Sequence, residues 1–246
     1  MARLHIFHTN DFHGKLTEEK AAQLKAEIAR LSVGEPTLLL DAGDAIAAGN
    51  LGFNPLGEPT LARMSTLGYD AMTMGNRETH PSLAVIRTKL SKANFPVLCG
   101  NGYAKSPKGN VPFVPSVLLE RGGKTIVIFG ITVPMATPQK VDAALWDNLF
   151  EAPIEAAKRL AATLRPQCDL LIALTHIGIA QDRKLAEAVP ELDLLIGGHT
   201  HVVLEQPEVV NGVPLVQAGS HARHFGHVIF EIFDDGNTVT GALHSL

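Results

Sequence analysis

Residues 168–201 read CDLLIALTHIGIAQDRKLAEAVPELDLLIGGHTH, and this stretch decides the fold class. Two short apolar runs, each ending in histidine, flank an amphipathic segment that predicts a helix over 182–189. The same alternation extends back to the start of the chain. RLHIFHT (3–9), TLLLDAG (37–43), DAMTMG (70–75) and FPVLCG (95–100) read as strands. TEEKAAQLKAEIARL (17–31), with Ala21, Leu24, Ile28 and Leu31 at helical spacing, reads as a helix, as do PTLARMSTLG (59–68) and PSLAVIRTKLSKA (81–93). Residues 111–133 predict two strands joined by Gly122-Gly123, followed by a loop over 134–146 and a helix over 153–164. Beyond Val202 the pattern turns to hairpins, EQPEVV, VPLVQAG, HVIFEIF and NTVTGAL, separated by Asn-Gly and Asp-Gly turns. Strands alternating with helices and then hairpins indicate an α/β fold with mixed sheets. With no linker or repeat to divide them, residues 1–246 are expected to form one domain.

Composition narrows the function classes. The 246 residues are 46% hydrophobic and 19% charged, ordinary for a globular chain long enough to bury a large core. The formal net charge of −4, with Lys and Arg scattered, gives no signal for a nucleic-acid-binding face. Cys99 and Cys168 lie in apolar contexts and are expected to be reduced structural thiols. No apolar run approaches the ~20 residues that span a bilayer. No signal peptide precedes the first motif, so a cytoplasmic location is expected.

The chemistry-bearing residues share one kind of position. Asp11 and His13 follow the first strand, Asp44 the second and Asn76 the third; His176, His199 and His201 follow the two runs quoted above. In open α/β sheets, ligands collect at the carboxyl ends of strands. Each residue alone has a plainer reading. Asp11 and His13 can bond their own loop, Asp44 can cap a following turn, Asn76 can take a left-handed turn, and His176 can be structural. His199 and His201, two apart on an extended segment, are expected to project to the same side. Together the set exceeds what one metal ion needs and suits two. Carboxylate, amide oxygen and imidazole without thiolate favour Mn²⁺, with Fe or Zn²⁺ as alternatives. Two such ions, roughly 3.5–4 Å apart, activate water for in-line displacement at phosphorus.

HTNDFHG (8–14), LLLDAGD (38–44), LGYDAMTMGNRE (67–78), LIALTHIG (171–178) and LLIGGHTH (194–201) resemble, in order, the five signature segments of calcineurin-like metallophosphoesterases. With VPLVQAGSHARHFG (213–226), the spelling is most similar to the catalytic domain of 5′-nucleotidases and their 2′,3′-cyclic phosphodiesterase relatives. The resemblance implies two facing mixed β-sheets flanked by helices, a four-layer αββα sandwich. It also implies a small-molecule phosphate ester as substrate, hydrolysed by a metal-bridging hydroxide. One ion would fall to Asp11, His13 and His201 and the other to Asn76, His176 and His199, with Asp44 bridging.

Two departures accompany the resemblance. The family's Asn-His-Glu reads Asn76-Arg77-Glu78, and the replaced histidine is the one associated with transition-state stabilisation or leaving-group protonation. Arginine can hold a phosphoryl group but cannot deliver a proton. His80 and His221 are therefore candidate catalytic residues beside Arg77, with His224 a third candidate donor. The C-terminal nucleoside-binding domain of the nucleotidases also has no counterpart before Leu246. Phe53, Tyr103 and Trp146 could stack on a base, although ordinary packing is the simpler reading.

Two decoys are set aside. Arg121–Thr125 (RGGKT) lacks the first glycine and the following helix of a phosphate-binding loop. Ser220 and His221, neighbours expected to diverge on an extended chain, do not make a nucleophile–base pair. The alternative to a hydrolase is a metal-binding regulatory or scaffolding protein that lost its catalytic step with the histidine.

Overall fold

The computed structural model describes residues 2–233 and 236–246. In chain order the strands are β1 (Ala2–Thr9), β2 (Thr37–Asp41), β3 (Ala71–Thr73), β4 (Val97–Leu98), β5 (Gly102–Ala104), β6 (Ser116–Arg121), β7 (Lys124–Thr132), β8 (Asn148–Phe150), β9 (Leu170–His176), β10 (Leu194–Ile196), β11 (Glu208–Val210), β12 (Val213–Val216), β13 (His224–Phe233) and β14 (Gly236–Ser245). The helices are α1 (Glu18–Ser32), α2 (Pro59–Leu67), α3 (Leu83–Leu90), α4 (Pro153–Leu164) and α5 (Ile179–Ala188).

Two six-stranded mixed sheets result, ordered β14-β13-β1-β2-β3-β4 and β11-β12-β10-β9-β7-β6. In the first, β1 to β4 are parallel and β13 and β14 antiparallel. In the second, β7, β9, β10 and β12 are parallel, with β6 and β11 antiparallel at the edges.

Side-chain alternation along the strands builds the layers. On β1, Leu4 and Ile6 face the other sheet while Phe7 faces outward; on β9, Leu170, Ile172 and Leu174 face in while Leu171 and Ala173 face out. The inward residues make one apolar core between the sheets. The outer face of the first sheet packs on α1, α2 and α3 through Leu24, Met64 and Ile86, and that of the second on α4 and α5 through Leu160 and Leu185. This is the expected four-layer sandwich.

Several elements differ from expectation. A 3₁₀ turn at Val141–Leu145 falls within the expected loop, and the short pair β5–β8 lies where no element was expected. Helix α5 begins three residues earlier than its apolar periodicity indicates. Residues 111–115 precede β6 rather than belonging to it. The expected Asp235-Gly236 turn includes Asp235, which lies outside the described residues. Both cysteines are free. Among the described residues, no helix is long and apolar enough to cross a membrane.

Candidate metal centre

Parallel strands β1, β2, β3, β9 and β10 bring their carboxyl ends to one edge of the sandwich. Asp11, Asp44 and Asn76 lie two or three residues beyond their strands, and His176 is the last residue of β9. The connecting loops turn sharply, with left-handed φ at Asp11, His13, Asp44, His199 and His201 (52°, 49°, 55°, 78° and 57°). Non-glycine residues adopt this conformation at a cost, and such strain concentrates at functional sites. Gly75 is required by proximity: a Cβ there would collide with the Asp44 carboxylate and amide.

Asp11 and Asp44 form the centre. Asp11 Oδ1 lies 3.4 Å from His13 Nε2 and 3.2 Å from His201 Nε2. Asp44 spans two neighbours, with Oδ2 3.4 Å from His13 Nε2 and Oδ1 3.5 Å from His176 Nε2. The His176 ring packs against His199, whose Nδ1 is 3.0 Å from Asn76 Oδ1. All seven residues are thus brought together. Donor atoms of Asp11, His13 and His201, and those of Asp11, Asp44 and His176, fall into two groups, each within 4.8 Å.

His199 and His201 meet different partners, and neither has the extended backbone expected of the pair. The left-handed backbone at both positions replaces the extended geometry that would align them. His201 reaches Asp11 and His199 reaches Asn76. Asn76 is not left-handed, and Asp44 accepts the Arg77 amide while the amides of Ile46 and Ala47 go to Glu78 and Glu58, so neither plainer reading describes them.

Surrounding groups fix the cluster. His176 Nδ1–H donates to the Ala42 carbonyl at 2.7 Å, which turns Nε2 toward Asp44. Asn10 donates to Asp11 Oδ2 and to the Gly219 carbonyl. Glu78, fully buried, accepts from the amides of Asp44, Ile46 and Gly75. Burial opposes charge on both imidazoles, yet contacts with Asp11 and Asp44 raise His13 to about 8, and Asp44 raises His176 to about 9. Burial works against the Asp44 carboxylate, but His13 and His176 draw its pKa well down. Asn10 and Glu78 stand inside the quoted segments yet received no role from sequence, because most of their partners are main-chain amides and carbonyls brought in by other loops.

The three candidate catalytic residues take different places. Arg77 donates its amide to Asp44 Oδ1 at 2.7 Å, and its guanidinium lies 3.7 Å from Asp44 Oδ2 with Nη1 on the Ala47 carbonyl. His221 packs edge-on against His13 and His201, with ring centroids 4.8 and 5.7 Å away. Its φ of 62° also brings Nδ1 within 2.7 Å of Ser220 Oγ, where an extended chain would have separated them. His80 instead accepts the Ser82 amide at the entrance to α3. Trp146 is buried in core packing, whereas Phe53 and Tyr103 are partly exposed.

Asp11 Oδ1, His13 Nε2 and His176 Nε2 are buried without a hydrogen-bond partner. Buried polar atoms left unmatched are costly, and three in one cluster around Asp11 and Asp44 fit cation ligation. An αββα sandwich carrying oxygen and imidazole donors at its strand ends has the build of a metal-dependent phosphoesterase. Residues 4–203 match the calcineurin-like phosphoesterase family, and the chain belongs to it.

Its relatives include the uncharacterised metallophosphoesterase YunD of Bacillus subtilis, 31% identical over 92% of this chain and 49% of that protein. A 5′-nucleotidase of Vibrio cholerae is 30% identical over 93% of this chain and 49% of its own length. The chain therefore spans about half the length of these curated relatives. Among solved structures, the 5′-nucleotidase precursor of Thermus thermophilus superposes with a TM-score of 0.82 at 25% identity, covering 99% of this chain and 54% of that one.

Proposed function

We propose that this chain is a phosphoric ester hydrolase whose Asp11, His13, Asp44, Asn76, His176, His199 and His201 hold two divalent ions. The observation that carries the reading is the set of three unpartnered buried atoms, Asp11 Oδ1, His13 Nε2 and His176 Nε2, gathered around Asp11 and Asp44, with His201 on Asp11 and His199 on Asn76. Oxygen and imidazole donors suit Mn²⁺, with Fe or Zn²⁺ as alternatives. When bound, such ions supply Lewis-acid activation of water and neutralise phosphoryl charge. The protein itself orients the donors. His176 is fixed by Ala42, Asp44 by Glu78 and the Arg77 amide, and Asp11 by Asn10. The Arg77 guanidinium sets positive charge beside Asp44, where a phosphoryl oxygen can be held. The 5′-nucleotidases among its relatives support a small-molecule phosphate ester, nucleotides included, as substrate. The two free cysteines fit a reducing cytoplasm.

Mn²⁺-supplemented protein is expected to hydrolyse p-nitrophenyl phosphate or its bis ester, and Asp44→Asn to abolish turnover. A protein that takes up ions but turns over neither ester, with Asp44→Asn altering metal content alone, would be the regulatory or scaffolding one.

A further inference from the structure

Lys89, on the last turn of α3, has no solvent exposure, although lysine is among the residues least often fully buried. Its Nζ donates to four main-chain carbonyls: Gly49 at 3.0 Å, Asn50 at 3.1 Å, Arg77 at 2.6 Å and Thr79 at 2.9 Å. An ammonium has three protons and no acceptor, so the four oxygens share its donors fully. These carbonyls come from two separate segments, the loop after β2 and the turn after β3. One buried cation therefore ties the loop after β2 to the turn after β3.

The tie has a direct consequence for Asn76. Asn50, whose carbonyl Lys89 holds, accepts the Asn76 Nδ2–H on its own side-chain Oδ1 at 3.0 Å. A primary amide carries its donor and its acceptor at opposite ends. With Nδ2 committed to Asn50, the Asn76 oxygen is turned the other way, toward His199 Nδ1 at 3.0 Å. The reversed amide would aim N–H donors at a cation, which only the oxygen can ligate.

We propose that Lys89 and Asn50 are positioning residues that orient the Asn76 amide, so that its oxygen rather than its nitrogen faces the ion held with His176 and His199. The assignment rests on the two-ion reading above. Its signature is selective: one ion loses its ligand geometry while the ion at Asp11, His13 and His201 keeps its own.

Calorimetric Mn²⁺ titration of the full chain tests this through ion affinity rather than turnover. The parent protein is expected to show two binding steps; a parent that binds no ion refutes the functional reading itself. Asn50→Ala, which leaves the lysine in place, is expected to weaken one step by about tenfold, the lower range for residues that orient metal ligands, and to leave the other unchanged. Asn50→Asp retains an acceptor and is expected to keep both steps. Lys89→Met is expected to weaken the same step as Asn50→Ala; should it fail to fold, the Asn50 pair still decides. If the parent binds two ions and Asn50→Ala leaves both affinities unchanged, or weakens both equally without rescue by Asn50→Asp, the positioning role is overturned.

Discussion

The Arg77 guanidinium brings a permanent positive charge to within 3.7 Å of Asp44, and this residue stands where the family carries histidine. It can stabilise charge on a phosphoryl group but cannot hand a proton to the departing oxygen. Hydrolysis should therefore depend steeply on leaving-group acidity, with nitrophenyl esters far outrunning alkyl phosphates, and Arg77→His should flatten the dependence. Equal rates on both ester classes would indicate another acid, His221 being the histidine that packs on the cluster. A second expectation concerns the ligands themselves. Against the opposing effect of burial, the aspartates hold His13 at about 8 and His176 at about 9, so the ion-free protein carries protons on both at pH 7. Ligation needs neutral imidazole. Mn²⁺ binding at pH 7 should release protons, and affinity should climb as pH rises toward 9 and then level. Titration in two buffers of unlike ionisation enthalpy measures the release; identical heats would mean the rings were already neutral. The residue types of the cluster were legible because each follows a recognisable strand. The paths of His199 and His201 were not, since their left-handed backbone is imposed by the loop rather than by local pattern.

Legibility of the elements follows their length and caps. Helix α1 offered apolar residues at helical spacing behind Thr17, whose side chain accepts the Lys20 amide at 3.2 Å. Thr17→Ala should cost about 1 kcal/mol of stability by chemical denaturation, and Thr17→Ser much less, because the capping oxygen satisfies an otherwise unpaired helix amide. A loss from Thr17→Ser as large as that from Thr17→Ala would assign the effect to packing of the methyl group. The pair β5–β8 was illegible for the opposite reason. Its strands have three residues each, too few for an alternating pattern, and they are held by pairing across 44 to 48 positions. Helix α5 starts earlier than its pattern because the chain turns in at Gly178, φ 85°, and the Ile179 amide is taken by Thr200 Oγ1 at 3.1 Å, a distant partner that no local cap announces. Asn50 and Lys89 were illegible as well, since a loop asparagine and a helix lysine resemble solvated surface until tertiary structure encloses their partners.

At the scale of the whole molecule, one arrangement serves both stability and site. Two sheets share an apolar core, and the strand ends that leave it deliver the polar cluster; both were readable because strand alternation and strand-end chemistry are local signals. Buried charge obeyed no such signal. Asp182 on α5 is fully enclosed, accepts the Thr175 hydroxyl at 2.7 Å, and is raised by burial from 3.8 to about 8, Thr175 and His176 opposing the rise only in part. The folded state therefore holds this proton over a range in which the unfolded chain releases it. Its stabilising contribution is complete below the ordinary carboxylate pKa, shrinks as pH increases beyond it, and is lost once pH passes about 8. Asp182→Asn keeps the acceptor for Thr175 and removes the ionisation. The stability of the variant relative to the parent should thus grow between pH 6 and pH 9, by at least about 1 kcal/mol, as the parent alone must keep a proton that its unfolded chain has released. Denaturation curves at the two pH values isolate this group, because other titrations are common to both proteins. Parallel pH profiles would show that Asp182 is ionised throughout, and that the protein spends binding interactions elsewhere to keep a charge inside.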